Sequence, residues 1–287
     1  MKRLFMYPAA VSKLLAVAAV AVLGVVPAGH TASITLELID SYERASPFGL
    51  AFDGNNVWWS DNSGNLTEMT TSGVDTGNSF NTGIWSELAW DGSTILQARG
   101  STIYYWNKDG SSAGEGTVDF AVNGGRGCGG LVDGLDHDQG EVWCSPDVSV
   151  VYRMTDDLQN PIGEQPVIGG AGGYSGVERI QATNGTDYIV VVNDAFVPRQ
   201  LCVHSMDYAE LGCQQFENSR YEGLAFDGRY IYAADYFGNA IDKYDILSDG
   251  GSIIDPDDLA PIPLPATGVL LVGALGGLAS LRRRGLG

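Results

Sequence analysis

Positive charge is scarce in this chain. Sixteen Lys and Arg face 35 Asp and Glu, for a formal net charge of −19. Six of the sixteen sit at the ends, as Lys2, Arg3, Lys13, Arg282, Arg283 and Arg284. The stretch between them carries ten basic residues against all 35 acids. Phosphate binding needs basic patches, so nucleic acid is disfavoured as a partner. Cations and positively charged surfaces suit the body better, although such a charge also serves plain solubility. Histidine is rarer still. His30, His137 and His204 form no ligand spacing and no Cys-x-x-Cys occurs, which argues against zinc. No catalytic triad, nucleophile elbow, phosphate loop or paired His/Glu motif is present, which weakens the case for an enzyme.

What the chain does have is repetition. Tyr221 to Ile246 reads YEGLAFDGRYIYAADYFGNAIDKYDI. A near copy, FGLAFDGNNVWWSDNSGNLTEM, runs from Phe48 to Met69. A third, Gly134 to Met154, aligns on Gly49 to Met69 without a gap. Each has a short apolar run, an Asp-Gly or similar hairpin signal, a β-branched and aromatic run, a second turn and a third apolar stretch. That is a three-stranded meander. Two weaker copies start near Glu87, with Asp91-Gly92 as the hairpin, and Ile180, with Asn184-Gly185. Units of about 40–45 residues holding several strands each point to propeller blades stacked around a ring. Five starts predict an all-β, five-bladed β-propeller over 33–247. Six blades would follow if Ala113–Gly129 hides another unit. Ser33–Glu43 (SITLELIDSYE) reads as an orphan strand, placed to complete the blade that begins at Gly223 and close its open edge.

The two ends differ from the body. Residues 1–32 have a basic start, a 13-residue apolar run from Leu14 to Val26, and small residues at Ala28 and Ala32. This is the layout of a secretory signal peptide. An oxidising compartment then favours disulfides among Cys128, Cys144, Cys202 and Cys213. Of the three possible pairings, local closeness selects Cys202 with Cys213 and Cys128 with Cys144. Residues 248–262 read as a linker rich in turn residues. The tail, 263–287, holds a proline collar, about 16 apolar or weakly polar residues and Arg282-Arg283-Arg284. It reads as a short membrane-spanning helix with a cytoplasmic stop.

Pro263-Leu264-Pro265-Ala266, the Gly/Leu-rich run and the arginines resemble the VPLPA variant of PEP-CTERM sorting signals, with Ile262 where Val is usual. The resemblance implies recognition by an exosortase-type membrane protease, a tether in the inner membrane, then a cell-surface or extracellular location. Leu264-Pro265-Ala266-Thr267-Gly268 also spells the sortase LPxTG pattern, but the apolar run starts at once after it, with no polar spacer. More loosely, the GLAFDG units resemble secreted propellers of the NHL, streptogramin-lyase and gluconolactonase kind.

Two functions follow. One is a non-enzymatic binding module at the bacterial surface, taking a matrix polymer or a protein. The other is a lactonase- or lyase-like enzyme with calcium in its channel. Its candidate ligands are Glu87, Glu178 and Glu222 near the inner-strand starts, and Asp61, Asn193 and Asp235 at the ends of second strands. Hard oxygen donors of this kind suit calcium, whereas repeated turn caps would leave the same sequence signal. The sorting reading makes its own prediction. Each proline of the collar fixes φ and lacks an N–H, which keeps the collar extended for a protease. Pro265→Ala should therefore leave the body folded but block processing, so that full-length protein accumulates in the membrane fraction on immunoblots. Normal processing of that variant would reduce the collar to a spacer.

Overall fold

The computed structural model describes residues 34–117, 134–145, 150–162, 173–194, 198–248 and 251–254. The segments read from sequence as a leader (1–32) and a sorting tail (263–287), the expected linker beyond 254, and Cys128 lie outside them. No helix among the described residues is long and apolar enough to cross a membrane.

The order of elements is all-β. β1 (Ile34–Glu43) stands first. Blade I is β2 (Pro47–Phe52), β3 (Asn56–Asp61), β4 (Asn65–Thr70) and β5 (Asp75–Asn81). Blade II is β6 (Leu88–Trp90), β7 (Ile95–Arg99), β8 (Thr102–Trp106) and β9 (Ser112–Thr117). Blade III is β10 (Gly134–Asp138), β11 (Glu141–Ser145) and β12 (Tyr152–Thr155). Blade IV is β13 (Tyr174–Gln181), β14 (Asp187–Asn193), β15 (Arg199–Ser205) and β16 (Glu210–Phe216). Blade V is β17 (Tyr221–Phe226), β18 (Ile231–Asp235) and β19 (Ala240–Ser248), with a short β20 (Gly251–Ser252) on β19. Every pairing is antiparallel, and each blade runs from an inner strand outward in chain order. This is a five-bladed propeller.

β1 supplies the missing outer strand of blade V. It pairs antiparallel with β19 from Ile34↔Ser248 to Glu43↔Ala240. The body also continues past the expected boundary at 247. β20 pairs with β19, the Ile253 N–H donates to Ile246 O at 2.9 Å, and Ile254 is 1% exposed in the core. The apolar Ile253-Ile254 pair inside a turn-rich stretch is the reason, because it packs where a polar linker would not.

The core consists of five apolar clusters, one at each junction between neighbouring blades. Successive residues of a strand point to opposite faces, and here both faces are covered by a blade. Trp58 therefore packs toward blade II and Trp59 toward blade V. Ile189 and Val191 pack toward blade III, while Val190 and Val192 pack toward blade V. This double burial explains why the second strands read as continuous apolar runs rather than as alternating ones.

The Asp-Gly hairpins do more than turn the chain. Asp53 accepts the N–H groups of Asn55 and Asn56, and its second oxygen accepts Trp58 Nε1–H at 3.0 Å. Asp227 repeats the pattern with Arg229, Tyr230 and the Tyr232 hydroxyl at 2.8 Å. The carboxylate thus caps the turn and fixes the largest side chain of the next strand.

Blade IV corrects the repeat start placed at Ile180. Val177↔Val191 corresponds to Leu50↔Trp59 and Leu224↔Ala233, so the position equivalent to Gly49 and Gly223 is Gly176. A longer hairpin between β13 and β14 displaces Asn184-Gly185 from its usual spacing. Cys202 and Cys213 stand opposite each other on β15 and β16 and form a disulfide, with Cα atoms 4.1 Å apart. Cys144 is also disulfide-bonded. A bond that closes so short a loop stabilises by about 2–3 kcal/mol through the unfolded chain. Replacing both residues, Cys202→Ser with Cys213→Ser, should lower the urea unfolding free energy by about that amount without changing the circular dichroism spectrum.

Candidate functional site

The inner strands converge on an axial channel, and glycine sets how closely they meet. A Cβ on Gly49 would strike Ser86 and Glu87 of blade II. One on Gly134 would strike Ser175 of blade IV, one on Gly176 would strike Glu222 of blade V, and one on Gly223 would strike Phe48 of blade I. All these approaches fall under 3.0 Å, which real Cβ atoms essentially never show. In blade II the equivalent residue is Glu87, since Leu88↔Gln97 matches Leu224↔Ala233. Its side chain enters the neck, and Oε2 lies against Gly223. Serines stitch the ring. Ser60 Oγ accepts Gly49 N–H at 2.8 Å and donates to Ser86 O at 2.9 Å, and Ser145 Oγ donates to Ser175 O at 2.6 Å.

One mouth opens where the inner strands begin. It is a cleft of about 360 Å³ lined by Phe48, Asn62, Trp85, Arg220, Glu222 and Tyr236. Arg220 Nε lies 2.8 Å from Asp194 Oδ2 and 2.7 Å from Glu222 Oε1, and both carboxylates are nearly fully buried. The same guanidinium lies over the rings of Tyr236 and Phe237. Asp235 fixes this corner by accepting the N–H groups of Arg220 and Gly238. Phe48 meets Trp85 edge-on at 5.3 Å and Tyr236 at 6.2 Å. Trp85 and Phe237 are 60% and 50% exposed, a large apolar rim for a surface so acidic. The loop carrying Trp85 is held from below, where Gln97 Nε2 donates to Ile84 O at 2.6 Å.

The second mouth opens where the inner strands end. Asp136, His137, Asp138, Glu178 and Arg179 line one arc, and Phe52, Trp90 and Phe226 belong to the other. Asp136 accepts the backbone N–H of Arg179 at 2.9 Å. Burial pushes the Asp136 carboxyl up to about 7, against the pull of that hydrogen bond. Burial, with the charges of Asp136 and Asp138, also raises Glu178 well above the ordinary carboxyl value.

The six predicted calcium ligands are not gathered at one point. The three glutamates occupy three different levels of the channel. Glu222 stands one residue before the glycine level, Glu87 occupies it, and Glu178 lies two residues beyond Gly176. Asp61 caps its own turn, accepting N–H groups from Ser63 and Asn65. Asp235 does the same for Gly238. Asn193 ends β14, and its Oδ1 is buried without a hydrogen-bond partner. Among the described residues, the one trio of His, Cys, Asp or Glu close enough to share an ion is Cys202, Glu210 and Cys213, whose sulfurs are already joined.

Asp136, Asp194, Arg220 and the aromatic rim were not among the residues singled out from sequence. One signal was available. Tyr236-Phe237 fills a turn where the copy in blade I has Asn62-Ser63, and large rings in an exposed turn call for a reason.

No protein-family model matches the chain, and no curated protein sequence matches it. In fold it is similar to the crystal structure of Myxococcus xanthus glutaminyl cyclase, with a TM-score of 0.56 and 14% identity. That match covers 76% of this chain and 98% of the other.

Asp136 and His204, both buried, act in opposite directions on stability. Asp136 holds its proton more tightly folded than unfolded, so stability falls as pH rises from about 4 to about 7. His204, 1% exposed, has its pKa lowered to about 4 by burial, so stability falls as pH drops from about 6.5 to 4. Asp136→Asn keeps an acceptor for Arg179 N–H and removes the first effect. The variant should gain stability over the parent at pH 8 and little at pH 4, read from urea unfolding across that range.

Proposed function

We propose that the protein is an exported binding module of the bacterial envelope that engages its partner at the mouth where the inner strands begin. The ligand feature is a cationic group, such as a Lys or Arg side chain of a surface protein or an amine of a matrix polymer. The observation that carries the reading is Arg220. The mouth already holds a guanidinium between two buried carboxylates and over two aromatic rings, with exposed Trp85 and Phe237 beside it. Cations over aromatic faces gain from the ring quadrupole, and more so when carboxylates stand behind them. The acidic body favours approach of such partners over long range. The leader and the sorting tail support delivery to the envelope, by way of the inner membrane and an exosortase-type protease.

A second reading is an enzyme. The similar fold belongs to a glutaminyl cyclase, and the neck here holds a buried carboxylate, Glu87, next to the aromatic-rimmed cleft. A carboxyl at such a point can move protons to and from a bound substrate. Calcium-dependent lactonase or lyase chemistry draws less support, because the predicted ligands do not converge.

Calorimetry with an Arg- and Lys-rich peptide tests the first reading. Trp85→Ala, at an exposed position, should weaken binding roughly fivefold, the loss of about 1 kcal/mol of cation–π contact. Glu222→Gln should weaken it further. The purified protein should release no ammonia from a peptide with an N-terminal glutamine. Release of ammonia that Glu87→Gln abolishes would establish the enzyme reading instead, and peptide affinity unchanged by both variants would remove the first.

A further inference from the structure

The mouth where the inner strands end takes no part in that reading, yet it is built in two halves. The register pairs each inner strand with its second strand in the same way, so the residues at this end form matched levels. At one level stand Ala51, Ala89, Asp136, Glu178 and Ala225. At the next stand Phe52, Trp90, His137, Arg179 and Phe226. Blades V, I and II therefore contribute alanines and aromatic rings, while blades III and IV contribute acids, an imidazole and a guanidinium. The cavity between the two arcs holds about 250 Å³.

The polar arc is rigidly held and has hydrogen-bonding capacity left over. Arg179 is tied to Asp138 and to Asp187, the latter at 2.8 Å. Its side chain is 9% exposed, and its Nε–H, buried beside the cavity, has no hydrogen-bond partner. Asp136 and Glu178 each take a backbone N–H from the next blade, Arg179 and Phe226 respectively. Each carboxyl keeps further acceptor capacity. Burial raises the pKa of both carboxyls above the ordinary value. Among the described residues, no group of side chains close enough to share an ion includes these acids. Lys108 lies over the Trp90 ring at 4.8 Å and pairs with Asp53.

We propose that this mouth is a second binding site, for a single sugar unit at the end or on a branch of a polysaccharide. A pyranose ring has an apolar C–H face and a rim of hydroxyls that both donate and accept. The aromatic arc of Phe226, Phe52 and Trp90 matches the first. The arc of Asp136, Glu178 and Arg179 matches the second, since carboxyl oxygens with acceptor capacity to spare take hydrogen bonds from hydroxyls. A purely apolar ligand would strand all three polar groups, at a cost in affinity.

The test uses the full propeller and four probes: glucose, galactose, mannose and N-acetylglucosamine. Saturation-transfer NMR should show contact with at least one probe, strongest on ring C–H protons. Glu178→Gln, which keeps the acceptor for Phe226 N–H, should weaken that binding about tenfold. Phe226→Leu, which keeps an apolar side chain, should lose the C–H transfer and gives an independent readout if the first variant unfolds. Trp85→Ala, at the other mouth, should leave sugar binding unchanged while it weakens the cationic peptide. Absence of transfer from all four probes at tens of millimolar overturns the proposal. So does sugar binding that Phe226→Leu leaves intact, and sugar binding lost with Trp85→Ala would assign the sugar to the first mouth instead.

Discussion

The closest approach of the inner strands governs this structure. Each of these strands is a sheet edge, with N–H and C=O groups that no further strand can pair. The molecule satisfies part of them across the blade junctions. Ser60 and Ser145 donate to carbonyls of the following blade, and Asp136 takes an N–H from it. Those bonds are within reach because Gly49, Gly134, Gly176 and Gly223 let backbone lie against backbone. The channel is narrow for the same reason. Where the ring admits one side chain in place of a glycine, at Glu87, that side chain occupies the neck and separates two mouths.

The two proposed sites then lie at opposite ends of one channel. Residues just before the glycine level face one mouth and residues just after it face the other. A shift of three positions along a strand, from the level of Glu222 to that of Glu178, therefore changes which mouth a side chain lines. The first mouth joins buried acids to an arginine and exposed rings. The second sets a polar arc opposite an aromatic one.

The fold was legible in sequence because its signals are local and repeated. The Asp-Gly turns and the orphan strand Ser33–Glu43 each mark a position that geometry requires. Blade IV was misread by four residues, because periodic spacing cannot reveal that one hairpin is longer than its siblings. The site was less legible. Glu87, Glu178 and Glu222 look alike as glutamates near inner strands, yet the channel register separates them. Asp61 and Asp235 carry the same residue type a metal would want, yet each spends its Oδ1 on turn N–H groups. Neither distinction exists until the strands are paired, since it depends on which neighbour lies across the junction.

Blade V joins the two ends of the described chain. Ser41 Oγ donates to Asp242, 201 residues away, and Ile34 shares a core cluster with Ile254. Bringing such distant segments together costs loop-closure entropy before any contact returns it, and folds dominated by such pairings form slowly. Until β19 is made, β1 has no partner, and the junctions on either side of blade V stay open. The ring therefore closes late and all at once. A chain synthesised from its N-terminus therefore keeps β1 unpaired until β19 has emerged, and no shorter nascent segment can close the ring.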